Sequence, residues 1–389
     1  MTKEQLFFIQ ILSDHLNGRE TKCNDVLDWD IIHEYALKHQ VSGIVYMQAK
    51  NFMPVDIQNT FRQETMATLY QSTIRDNDFA AVTNVLSEKN IPYFIVKGPA
   101  VATLFPNPKL RSMGDIDLVV KHEDREKCHN IIVNNGYECA SKQDDREWQY
   151  YKNNMELELH DRLVYEEAVN EKGQDKFFND CWRYVREGQL DWNFHLLFLI
   201  FHLRKHFMNS GVGFRMFMDL AVVAEKTHID WAMLQEKLEN TGMLEFAKKC
   251  FGFIEQWFGI QVPLADNIDD IFYEEATQKI FADGLFGFDN SDNIGSGVIN
   301  QIRKQRFGKI TTVRIIAKEV FPSHKKLKYE KQYTYLNKYP VLLPIAWIQR
   351  ACRGIKQSKM KTALCQMRRT FVSREQLEKR NDMMRKWGI

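Results

Sequence analysis

Residues 91–120, IPYFIVKGPAVATLFPNPKLRSMGDIDLVV, decide the fold. Ile91, Tyr93, Phe94, Ile95 and Val96 form a short apolar run rich in β-branched and aromatic residues, which predicts a buried strand. Lys97-Gly98 turn the chain, a short helix follows, and Pro106-Asn107-Pro108 break it again. Asp115-Ile116-Asp117-Leu118-Val119-Val120 reads as a second strand. Successive strand side chains point to opposite faces, so Asp115 and Asp117 share one face and Ile116 and Leu118 the other. Two adjacent carboxylates repel and cost stability unless a cation lies between them. Magnesium takes carboxylate oxygens and keeps coordination positions for phosphate. A bare D-x-D is also the polar face of a half-exposed strand. The upstream glycine turn, where backbone N–H groups can approach a phosphate, adds the case for a nucleoside triphosphate and its metal.

The stretch resembles the DNA polymerase β-type nucleotidyltransferase superfamily, whose signature is a Gly-Ser or Gly-Gly turn followed by Asp-x-Asp on the next strand. More closely, Lys97-Gly98, Arg111 and Asp115-Ile116-Asp117 are similar to the bacterial uncharacterised nucleotidyltransferase family. Pro99 stands where Ser or Gly is usual, which removes a hydroxyl contact to phosphate. The superfamily needs a third carboxylate on a later strand. In Met155-Glu156-Leu157-Glu158-Leu159-His160 the alternation is strict, with Glu156, Glu158 and His160 on one face. On its own this is an amphipathic edge strand; the family pattern, an acid two residues before a His, selects Glu158.

The resemblance implies a magnesium-dependent transfer of a nucleoside monophosphate from an NTP such as ATP to an acceptor hydroxyl or phosphate. Asp115, Asp117 and Glu158 are the implied catalytic residues and ligands of two magnesium ions, with manganese as the alternative metal. Lys97, Gly98 and Arg111 are the implied phosphate contacts. The acceptor stays open. A catalytically silent nucleotide sensor, motivated by Pro99, is the rival reading.

A chain of 389 residues with 44% hydrophobic content can hold two or three domains with sizeable cores, and 12% aromatics argues against wholesale disorder. No apolar run reaches membrane-spanning length. The first residues read as an amphipathic helix rather than a cleavable signal. Seven cysteines without a C-x-x-C pattern fit free thiols in a reducing cytoplasm, with peripheral membrane association left open.

The expected fold is α+β and predominantly helical. An N-terminal helical region (1–84) packs on a small mixed-sheet core (85–165), followed by a helical domain (166–265), an Asp- and Gly-rich linker (266–300) and a basic helical region (301–389). Asp28 and Asp56 are candidate helix caps, Gly18 a helix stop, and Asp191 the cap of a helix running to His206. His195, His202 and His206 fall on one face of that helix. No Glu follows the first His of H-x-x-x-H and no Cys is near, which argues against zinc. They are expected to line the cleft or a buried polar layer. Arg215 and Asp219 are expected to pair at i, i+4.

The net charge of +2 hides an asymmetry. Residues 301–389 hold 23 of the 53 Lys+Arg but 5 of the 51 Asp+Glu, a local +18 against −16 in the first 300 residues. The expected outcome is docking of the basic region on the acidic body. An anionic membrane surface, reached through Tyr339–Trp347 and the basic turns after it, and RNA are the alternatives.

Overall fold

The computed structural model describes residues 1–143, 146–165, 174–209, 211–284, 321–327, 331–356 and 374–389. Thr2 and Gln5 form a reciprocal capping box that starts α1 (Lys3–Leu16), and Gly18, at φ 65°, follows its end. The Asp28 carboxylate accepts from the Asp30 and Ile31 N–H groups and caps α2 (Trp29–Lys38). After α3 (Ser42–Ala49) comes α4 (Val55–Glu88). Asp56 lies in the first turn of α4 rather than capping it; the N-cap is Pro54, which offers no side-chain acceptor.

The 91–160 stretch folds as β1 (Tyr93–Val96), α5 (Gly98–Ala102), β2 (Asp115–Val120), α6 (Arg125–Asn134), β3 (Glu138–Ser141), β4 (Trp148–Lys152) and β5 (Met155–His160). The strands form one mixed sheet in the order β1-β2-β5-β4-β3. β2 and β5 are parallel and the other pairings antiparallel. A parallel pair needs a crossover, which α6, β3 and β4 supply between them. The register sets Asp115 opposite Glu156 and Asp117 opposite Glu158. Ile116, Leu118, Leu157 and Leu159 turn to the apolar side, where Val82 and Leu86 of α4 and Ile131 and Ile132 of α6 cover them. The acidic side chains are therefore left on the opposite face.

Beyond α7 (Gln174–Asn179), a two-strand hairpin leads to α8 (Trp192–Asn209). Asp191 caps α8 through the Asn193 and Phe194 N–H groups. Then come α9 (Phe214–Lys226), α10 (Trp231–Asn240), α11 (Leu244–Phe258) and α12 (Asp270–Asp283). The 266–300 segment therefore opens with a helix rather than a linker. Asp269 caps α12 through the Phe272 N–H, and Phe272, Ile280 and Phe281 are buried; residues 285–300 lie outside the described residues. The helices before the sheet and those after it share one core, through Phe8, Leu12, Leu197, Phe214, Trp257 and Phe281. At 34 residues, α4 spans about 50 Å and reaches from that core, through Phe61, to the sheet.

The last helix of the basic region (Arg374–Lys386) packs on the body. Trp387 is buried against Phe207, Phe246, Phe253 and Phe272, and Lys386 pairs with Glu275. Residues 321–356 build a separate small cluster of Leu327, Tyr333, Leu336 and Ala346 beneath the helix Leu343–Lys356. No described helix is long and apolar enough to cross a membrane. Cys23, Cys128, Cys139, Cys181 and Cys250 form no disulfide.

Candidate functional site

β2 and β5 bring Asp117, Glu158 and His160 to one point, and their potential ligand atoms all lie within 4.8 Å of one another. His160 Nε2 stands 3.2 Å from Asp117 Oδ1 and 3.3 Å from Glu158 Oε2. From the end of β1, Lys97 Nζ reaches Asp117 Oδ1 at 2.7 Å. The other Asp117 oxygen, Oδ2, is buried with no hydrogen-bond donor. A buried carboxylate oxygen without a donor is costly and suits a cation, so this donor set of two carboxylates and an imidazole fits a divalent metal ion. Asp115 lies one strand period away on the same face, outside that three-residue group.

The electrostatics follow from this packing. Burial opposes ionisation of Asp117, but Lys97 and His160 outweigh it and hold the carboxyl down to about 2. Burial also disfavours the His160 imidazolium, but hydrogen bonds to Asp117 and Glu158 push it up to about 9. Burial works against the Lys97 ammonium too, and Asp117, Asp115 and Glu158 hold it charged beyond the ordinary lysine range. Asp115 is raised by burial and by Asp117. Glu158 is lowered because its bond to His160 overcomes burial.

The turn before α5 differs from the glycine turn expected. Lys97, not Gly98, adopts the unusual backbone, at φ 56° and ψ −126°. Such a conformation costs a non-glycine residue about 1–3 kcal/mol and persists only where its surroundings enforce it. Here the Lys97 N–H donates to His195 Nε2 at 2.9 Å. His195 is buried and stacked on Trp192, and burial lowers it to about 3, so the ring stays neutral and its Nε2 free to accept. Gly98 serves close approach: a Cβ there would meet Met113 Sδ at 3.2 Å and the Asp115 carbonyl oxygen at 3.4 Å. Pro99 sits in the first turn of α5, where no N–H is needed.

Arg111 is not presented as a phosphate contact. Its guanidinium makes a buried bidentate fork on Asp219 of α9, with both contacts at 2.7 Å. Arg215 in turn donates to Gln40 Oε1 at 2.9 Å and to the Ser112 carbonyl. The expected i, i+4 pair of Arg215 with Asp219 gives way to these because a buried planar fork is stronger than a pair along one helix surface. The two arginines lock the loop before β2 onto α9.

Along α8, His202 and His206 lie with their Nε2 atoms 3.1 Å apart. Burial lowers both imidazoles, and Lys97, Lys205 and Arg215 add to it; His206 falls to about 4. Lys205 is open to solvent on one side, while burial and Lys97 lower its ammonium. Lys205 of α8 and Arg215 of α9 are thus the cations these helices set near the acidic sheet face, beside the neutral His202 and His206 rings. Among the described residues no further His, Cys, Asp or Glu groups with this pair as a metal site. The sequence put His160 on the acidic face and His195 along the cleft or a buried polar layer without assigning either a role. The strict alternation of β5 is what placed His160, whereas nothing local ties His195 to Lys97, 98 positions earlier.

No curated protein and no solved structure matches the chain. A family model described as "Uncharacterised nucleotidyltransferase" matches residues 25–259, a span that holds every site residue from Lys97 to Asp219. By that match the chain belongs to the uncharacterised nucleotidyltransferase family.

Proposed function

We propose that the protein transfers a nucleoside monophosphate from an NTP to an acceptor hydroxyl or phosphate, with magnesium as the metal. The observation that carries the reading is the in-register pair Asp117 and Glu158 on parallel neighbouring strands, with a buried Asp117 oxygen lacking a donor. Asp117 and Glu158, with Asp115 beside them, are the carboxylates that would hold the ions; His160 would join them only as the neutral imidazole, so an ion would have to displace its proton. When bound, divalent metal neutralises the triphosphate and lowers the pKa of the attacking hydroxyl.

The chain's own groups divide the remaining work. The acceptor oxygen forms a bond to the α-phosphorus, the bond to the bridging oxygen of the β-phosphate breaks, and pyrophosphate leaves with that electron pair. Glu158 is lowered and therefore ionised, so it can take the acceptor's proton. Lys97, at the Gly98 turn, meets the charge that builds on the leaving pyrophosphate, and Lys205 stands near the same acidic face. Arg111 positions the loop that leads into β2. A nucleotide sensor without turnover is the second reading, favoured by the ammonium already seated on Asp117.

The test is incubation with each α-phosphate-labelled NTP, magnesium and cell extract, following pyrophosphate release and label transfer. Glu158→Gln is expected to abolish turnover and Glu156→Gln to retain it. The reverse order would overturn the site. Nucleotide binding without pyrophosphate from any NTP would leave the sensor.

A further inference from the structure

We propose that the small unit of residues 321–356 docks on an anionic lipid surface through the outward apolar face of the helix Leu343–Lys356. The inner face of that helix is already satisfied. Ala346 is buried on Leu327, Tyr333 and Leu336, and Trp347 donates to the Pro322 carbonyl at 2.9 Å while meeting the Phe321 ring edge-on. A second apolar face is left over. Tyr339, Val341, Ile345 and Ile348 stand 49%, 83%, 48% and 64% exposed within ten residues of sequence. Large aliphatic side chains gathered in water are unfavourable and mark a contact surface.

Charge identifies the occupant. From Lys331 to Arg374 the sequence carries ten Lys and Arg and no Asp or Glu, and Lys338 and Arg350 at either end of the exposed face are open to solvent. Apolar side chains beside an acid-free cationic run are the pattern that seats a helix at a headgroup boundary, each nearby cation adding to the attraction. RNA is less well matched, since the leftover face is mainly aliphatic and base stacking needs aromatic rings. The helix has 14 residues, about 21 Å, and so lies on a bilayer rather than spanning it.

The test uses the full chain with vesicles of phosphatidylglycerol in phosphatidylcholine, pure phosphatidylcholine vesicles, and tRNA, each across a salt series. Sedimentation with the anionic vesicles is expected, weakened but not erased by salt, with amide-exchange protection confined to 339–350. Ile345→Ser with Ile348→Ser should weaken vesicle binding by about tenfold or more without changing thermal stability, because both side chains are exposed. Failure to bind anionic vesicles, equal binding to neutral ones, protection elsewhere in the chain, or binding to tRNA alone would overturn the proposal. So would oligomerisation abolished by the same two substitutions.

Discussion

Lys97 and His160 both close on the same buried carboxylate, so the Asp117 charge is balanced before any metal arrives. Read from sequence, Asp115 and Asp117 are a repelling pair, and neutralising one should relieve strain. The structure reverses the sign. Asp117→Asn strands a partly buried ammonium, and removing one partner of a buried pair costs about 3 kcal/mol. Urea unfolding without metal should show that loss; stability equal to or above the parent would mean that carboxylate repulsion dominates instead. The alternation of D-x-D and of Glu156, Glu158 and His160 was legible because it is a period within one strand. The counter-ion role of Lys97 and the commitment of Arg111 to Asp219 were not, since both depend on which elements become neighbours.

Elements with an internal period were equally legible. β1, β2, β5 and the Asp28-capped α2 lie where apolar spacing and capping residues put them. α12 was hidden by composition: the acids around it suggest a loop, yet Asp269 is its cap and its apolar residues face the core. The chain reaches α12 by folding back along α11. Asp266 N–H donates to the Lys248 carbonyl at 3.1 Å, and Gln256 Nε2 donates to the Ile268 carbonyl at 3.0 Å. That return passes so near α11 that a Cβ on Gly252 would collide with the Asp266 carbonyl oxygen and lie 2.8 Å from Ile268 Cγ1. Gly252→Ala must push two backbones apart, an overpacking cost of about 1–3 kcal/mol or more. Gly114→Ala, which meets nothing within 4 Å, is the control expected to melt with the parent. Matching melting temperatures for the two variants would show that the α11 return yields freely.

Over the whole molecule, the opposed charges of the body and the basic region were visible in the sequence, but their manner of contact was not. Charge contributes the Lys386–Glu275 pair at the surface, and the anchor is an indole sunk among Phe207, Phe217, Phe246, Phe253 and Phe272. Trp387→Ala should therefore cost about 3–5 kcal/mol, read as a lower urea midpoint. Reversing charge at Lys386 should cost far less, because solvent screens an exposed ion pair. Similar losses for the two would make the contact electrostatic. The placement of Trp387 also sets an order of events during synthesis. Translation delivers every aromatic that surrounds the indole before the indole itself, so the helical core leaves the ribosome with an open slot. A chain cut before Trp387 should therefore leave that slot open and be cleaved by protease faster than the full chain; equal resistance would show that the core closes without the indole.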